Sequence, residues 1–173
     1  MRKLLCGVMA ISCAIGLAGH AGAQIPVGHT DIGPTLGLGG IGSAGIAFGG
    51  RFEKIFKPLP EHGGGNLGVQ AGLDYYTWSG AGYRWAYIPI GVTANYHFKL
   101  QDKKIDPFLG LGLGLSIVSC NYSGTGVAAC GNSAIYLIGR AGARYFLNPK
   151  TALYADLGAG AAALNMGLMF KMR

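Results

Sequence analysis

From residue 108 to 117 the chain reads Phe-Leu-Gly-Leu-Gly-Leu-Gly-Leu-Ser-Ile, so that Leu109, Leu111, Leu113, Leu115 and Ile117 alternate with Gly110, Gly112, Gly114 and Ser116. An unbroken period of two puts alternate residues on opposite faces in a β-strand and in no helix. Wound as a helix, the segment would carry glycine on every side, each costing about 1 kcal/mol relative to alanine. The two faces of the strand differ sharply. One is wholly aliphatic and meets an apolar phase, while the other is small or polar and turns toward a filled interior.

The pattern recurs. Eight segments alternate in this way, at residues 32–39, 43–56, 66–78, 85–98, 105–119, 133–147, 151–160 and 163–172. A membrane-spanning strand takes roughly 9–11 residues, which most of them supply. Half of the 173 residues are hydrophobic and 12% are charged. Yet after residue 23 no apolar run reaches the roughly 18 residues of a membrane helix. High hydrophobicity without such a run is what strands with one face in lipid produce. The expected fold is all-β: an eight-stranded antiparallel up-and-down transmembrane β-barrel of the bacterial outer membrane.

Residues 1–23 read as a cleavable signal peptide, with Arg2 and Lys3, an apolar core over 4–17, and Ala21-Gly22-Ala23 before Gln24. The core is shorter than the roughly 20 apolar residues of a membrane anchor. Lipoprotein processing at Cys13 would need a lipobox that Ala10-Ile11-Ser12 matches poorly. The expected domains are thus the leader, 1–23, and one barrel, 24–173. An even strand number puts both barrel ends on the periplasmic side. Turns are expected there at 57–65, 100–104 and 148–150, and outer loops at 40–42, 79–84, 120–132 and 161–162. Pro89 has no N–H for the ladder, so a bulge is expected beside it.

Alternation sends Arg51, Glu53, Gln70, Asp74, His97, Arg140, Arg144 and Asp156 inward. Isolated ions in that interior would be costly, so they should pair. If residues 147 and 151 close the hairpin at Asn148-Pro149-Lys150, Gly142 faces Asp156, and Arg140 and Arg144 flank it. Asp156 is expected to bridge one or both arginines. Tyr76, Trp78, Tyr87, Phe146 and Tyr154 also point inward, against glycines 33, 37, 110, 112 and 114. Large against small fills an eight-stranded barrel and leaves no wide pore.

The formal charge of +7 becomes +5 without Arg2 and Lys3. Eight basic residues fall near the periplasmic rim: Lys54, Lys57, Lys99, Lys103, Lys104, Lys150, Lys171 and Arg173. They either meet anionic headgroups of outer-membrane lipid or form a solvated rim. Arg84 stands at the outer rim, where lipopolysaccharide carries phosphate. No basic groove interleaves with base-stacking aromatics, so nucleic acid is not an expected partner.

Cys6 and Cys13 belong to the leader. Cys120 and Cys130 flank a polar loop and are expected to form a disulfide in an exported chain. Two cysteines are too few for a structural zinc site, and His29, His62 and His97 have no ligand-like spacing, so neither metal nor cofactor is expected. Residues 37–42 satisfy G-x-G-x-x-G, but an alternating strand follows where a dinucleotide site needs a helix. A lipid A–modifying enzyme would need a nucleophile and a general base at the outer leaflet. Ser79, Ser119, Ser123 and Ser133 supply hydroxyls there, but no histidine or carboxylate does. No catalytic residue is assigned.

Residues 165–172 carry Asn165, Gly167, Phe170 and Met172 at the spacing of the terminal-strand signal of outer-membrane barrels. The resemblance implies recognition by the barrel assembly machinery. Met172 replaces the usual final aromatic, and Arg173 follows it. With leader, eight alternating segments and Asn-Pro turn, the chain resembles the OmpA/OmpX-like small outer-membrane barrels. It stops at Arg173, so the expectation is a barrel without the periplasmic peptidoglycan-binding domain of OmpA. The resemblance implies a non-enzymatic role in envelope integrity or loop-mediated surface interaction with an unidentified ligand. The alternatives are a narrow, low-conductance channel and, behind it, the lipid A enzyme.

Overall fold

Leu111 and Leu137 are 75% and 77% exposed, whereas Arg144 and His97 are fully buried. This inverts the arrangement of a water-soluble protein and follows directly from the period-two pattern, with apolar residues outside and charges inside. The computed structural model describes residues 25–40, 45–80, 82–102, 104–122 and 132–172. The leader assignment lies outside them. Eight strands form: β1 Thr30–Gly40, β2 Ile46–Leu59, β3 Gly65–Gly80, β4 Tyr83–His97, β5 Ile105–Tyr122, β6 Ala134–Asn148, β7 Thr151–Ala159 and β8 Ala162–Lys171. Each pairs antiparallel with the next, and β8 pairs with β1, so the sheet is a closed barrel. Closure leaves no unpaired edge, the condition for crossing lipid with strands.

The strands depart from the alternating segments mainly at their ends. The turn expected at 57–65 is shorter, because β2 runs on to Leu59 through Pro58 and only the 3-10 turn Pro60–His62 with Gly63 and Gly64 remains. Both glycines take positive φ, 81° and 73°, which closes the hairpin tightly. A register shift between Ile55 and Lys57 absorbs the extra length. The bulge expected at Pro89 does not form. Leu73 faces Ile90 and Tyr76 faces Tyr87, so β3 and β4 keep one register on both sides of it. Losing one N–H interrupts the ladder locally, but the intact pairs on either side hold the strands in step.

The seam between β1 and β8 depends on glycine. A Cβ at Gly33 would lie on the backbone carbonyl of Leu168, and one at Gly167 on that of Pro34. Backbone cannot yield as a side-chain tip can. Gly50, opposite Pro34 in β2, has only Gly33 O at 3.6 Å from its would-be Cβ. Gly33→Ala is expected to cost at least the upper end of the roughly 1–3 kcal/mol typical of overpacking. Gly50→Ala should leave stability within about 0.5 kcal/mol of wild type. Urea midpoints of the two variants in detergent micelles check this.

Candidate functional site

The strands aim a column of charged and polar side chains down the barrel axis. Near the middle, Arg51 of β2 donates to Asp74 of β3 through both terminal nitrogens, at 2.9 and 3.0 Å. Room for this fork comes from glycine. Arg51 stands opposite Gly72 and Asp74 opposite Gly49, and a Cβ at Gly49 would occupy the Asp74 carboxylate. Across the lumen, Asp156 of β7 faces Gly142 and accepts from Arg140 Nε at 2.7 Å. It also accepts from Asn165 Nδ2 at 2.8 Å and from the Tyr154 hydroxyl. Arg51, Asp74, Thr93, Arg140, Asp156 and Asn165 border a cavity of about 40 Å³, enough for one or two waters.

Arg144 does not join Asp156. Its guanidinium lies toward the turn end of the barrel, where it meets Glu53, Asp31 at 3.2 Å and Asp106 at 3.9 Å. Three carboxylates there outweigh one above that Arg140, Tyr154 and Asn165 already occupy. His97 bridges the group, with Nε2 2.9 Å from Glu53 and Nδ1 2.8 Å from Asp106. A carboxylate on each ring nitrogen calls for a proton on both nitrogens, or for one carboxyl to hold the proton instead. Asn95 and Gln70 donate to Glu53 at 2.8 and 3.1 Å. Phe108, Tyr154 and Met169 pack beside this cluster, with the Phe108 ring stacked on Tyr154 at 5.8 Å.

At the turn end Ile25 and His29 are buried beside this cluster, while residues 26–28 between them are exposed. Ile25 is 4% exposed and its carbonyl accepts from Asn66, while His29 contacts Asp31 at 3.2 Å. Asp31 and Asp106 were absent from the sequence-derived set. Asp106 shares the even parity of Phe108 and Gly110 but sits next to a turn, and Asp31 precedes the expected start of the first segment by one residue. Asp106 already lay on the inward parity of the 105–119 segment, and extending the 32–39 alternation by one residue adds Asp31.

At the opposite end, Trp78 stacks on Trp85 at 4.5 Å and Trp85 on Tyr83 at 4.9 Å. Tyr76 donates to the Ala161 carbonyl at 2.8 Å, bracing the short β7–β8 connection. Cys120 stands opposite Trp85 in β5, and Cys130 lies outside the described residues. In β8, Asn165 points inward to Asp156 while Phe170 faces outward, 43% exposed. The Met172 backbone N–H donates to the Thr30 carbonyl at 2.8 Å. Among the described residues, no three histidine, cysteine or acidic side chains are arranged to hold a metal.

No family model matches the chain, and no curated protein does. Solved structures do. The barrel is similar to the N-terminal β-barrel domain of Pseudomonas aeruginosa OprF at 16% identity, covering 84% of this chain and 98% of that one, with a TM-score of 0.51. It is similar to Ail, the attachment invasion locus protein of Yersinia pestis, at 14% identity, covering 83% and 93%, with a TM-score of 0.52. Pseudomonas aeruginosa OprG matches over 91% of this chain and 99% of its own at 12% identity, with a TM-score of 0.50. The chain has the fold of the small OmpA/OmpX-like outer-membrane β-barrels. In outer-membrane barrels of this fold the short turns face the periplasm and the longer loops face outward. In this barrel the Arg144 cluster lies toward the short-turn end and the aromatic stack toward the opposite, long-loop end.

Proposed function

We propose that this is a non-enzymatic, non-conducting barrel that stabilises the outer membrane and presents its outer loops to an uncharged surface partner. The observation that carries the reading is the filled lumen. Arg144, His97, Phe108, Tyr154 and Met169 are all 2% exposed or less, and Ile25 and His29 lie beneath them. The outer loops favour a neutral ligand, because Arg84 is the one charged residue among 79–84 and 120–132. Ail has been solved with the heparin analogue sucrose octasulfate, a polyanion. This barrel's outer rim lacks the cations such a ligand would need.

A disulfide between Cys120 and Cys130 would restrain the longest outer loop, and Phe170 with Met172 would offer the assembly machinery its terminal signal. His97, the histidine set between two carboxylates, lies at the end away from the serines of the outer rim, which speaks against acyl transfer on lipid A. The narrow-channel alternative draws on the 40 Å³ polar cavity at mid-height. Planar-bilayer recording with the refolded full chain separates the two. No step conductance above baseline is expected, while cells lacking the protein should become more sensitive to detergents. Steady ohmic channels would make the protein a pore instead.

A further inference from the structure

Six exposed lysines ring the periplasmic end: Lys54, Lys57, Lys99, Lys104, Lys150 and Lys171. Glu61 and Asp102 are the acidic residues exposed among them, and Asp102 is engaged by the backbone N–H of Lys104 at 2.8 Å. Among the described residues, every ion pair lies inside the lumen and none involves a lysine. A ring that served only to solubilise a rim would gain from interspersed acids. This one is nearly of single sign, and at the other end Arg84 is alone.

Depth gives the ring a partner. Phe52, Phe56, Phe98, Tyr145 and Phe170 face outward on this side, each between 38% and 54% exposed. Such a girdle settles at the interface between hydrocarbon and headgroups. Lys54 lies on the same outer face of β2, with its Nζ 5.5 Å from the centre of the Phe56 ring. Lys57 stands opposite Leu67, another outward residue, past the register shift. Lys99 follows Phe98, and its Cδ would be 3.6 Å from a Cβ on Gly64, which puts it beside the β2–β3 turn. Lys104 and Lys150 continue the ring: the Lys104 carbonyl accepts from Phe146 N at 2.7 Å and that of Lys150 from Lys171 N at 2.9 Å. Long stems lie along the apolar wall and carry the ammonium groups outward to headgroup level.

We propose that the lysine ring is a binding surface for anionic glycerophospholipid headgroups of the periplasmic leaflet, densest at Lys54, Lys57 and Lys99. The leaflet assignment rests on the periplasmic placement of the turns. Binding there ties the barrel's vertical position to the phospholipid face of an asymmetric membrane.

The test uses the full-length barrel in phosphatidylcholine vesicles carrying a trace of spin-labelled phosphatidylglycerol or spin-labelled phosphatidylcholine. A heat-dependent gel shift shows that each protein is folded. At low salt the barrel should hold the anionic label roughly fivefold more strongly than the neutral one, the scale set by one lysine at a membrane surface. K54Q/K57Q/K99Q should lose more than half of that preference, R84Q should keep it, and salt near 1 M should remove it from the wild type. Equal retention of both labels would overturn the proposal. So would a salt-insensitive preference, or one that R84Q abolishes. Should the triple variant not fold, the salt titration of the wild type with the R84Q comparison decides the matter.

Discussion

Arg144→Met is expected to destabilise the barrel by about 3–5 kcal/mol, the cost of removing one partner from a buried ionic cluster. Arg144 is fully buried, and Glu53, Asp31 and Asp106 converge on it. Methionine fills similar volume, so the loss reports charge and not a cavity. What remains, among the described residues, is three buried carboxylates against the imidazole rings of His97 and His29. Arg144→Lys should lose less, because the charge stays while the fork that reaches several acids at once is gone. Adding Glu53→Gln to Arg144→Met should cost less than the two changes summed, since residues in one network couple by about 0.5–3 kcal/mol. Urea unfolding followed by Trp78 and Trp85 emission measures wild type, Arg144→Met, Arg144→Lys, Glu53→Gln and the double variant. An Arg144→Met barrel within about 1 kcal/mol of wild type would show that the cluster does not hold the lumen together.

The second large effect lies on the outer wall. Leu113 is 58% exposed at mid-height of β5, on the aliphatic face. Leu113→Arg is expected to cost about 2–4 kcal/mol, the penalty for a cation at the bilayer midplane of a barrel. Ile105 opens the same strand on the same face, 36% exposed, at the level of the lysine ring. Ile105→Arg should cost only about 0–1 kcal/mol, because water and headgroups are within reach there. Unfolding midpoints in phospholipid vesicles compare the pair. Equal costs at both depths would mean that this face does not sit in a bilayer.

Most of the fold was legible residue by residue. Period-two alternation is a local property, and it is strongest where one face must meet lipid, as at Leu109 to Ile117. Gly142 stands opposite Asp156 as expected, although Asn148 and not residue 147 closes the hairpin with Thr151, and a register shift between Phe146 and Asn148 restores the pairing beyond it. What failed was local too: the ends of β2 and the ladder at Pro89, where pairing with a neighbouring strand outweighs the preference of one residue.

The partners inside the lumen were less legible. Parity shows that Arg140 and Arg144 point inward, but a long side chain can lean up or down the axis and toward more than one wall. Arg140 takes Asp156 while Arg144 reaches Glu53, 91 residues away in sequence, together with Asp31 and Asp106. Only closure of β8 on β1 brings β2 and β6 close enough across the axis for that choice to exist. The sequence alone determined which residues face lipid, which face inward, and how many strands share the work, since each follows from spacing along one chain segment. The tertiary structure decided which inward charges meet and that His29 and Ile25 are buried beside them, since those contacts depend on the barrel's diameter and on strands distant in the chain.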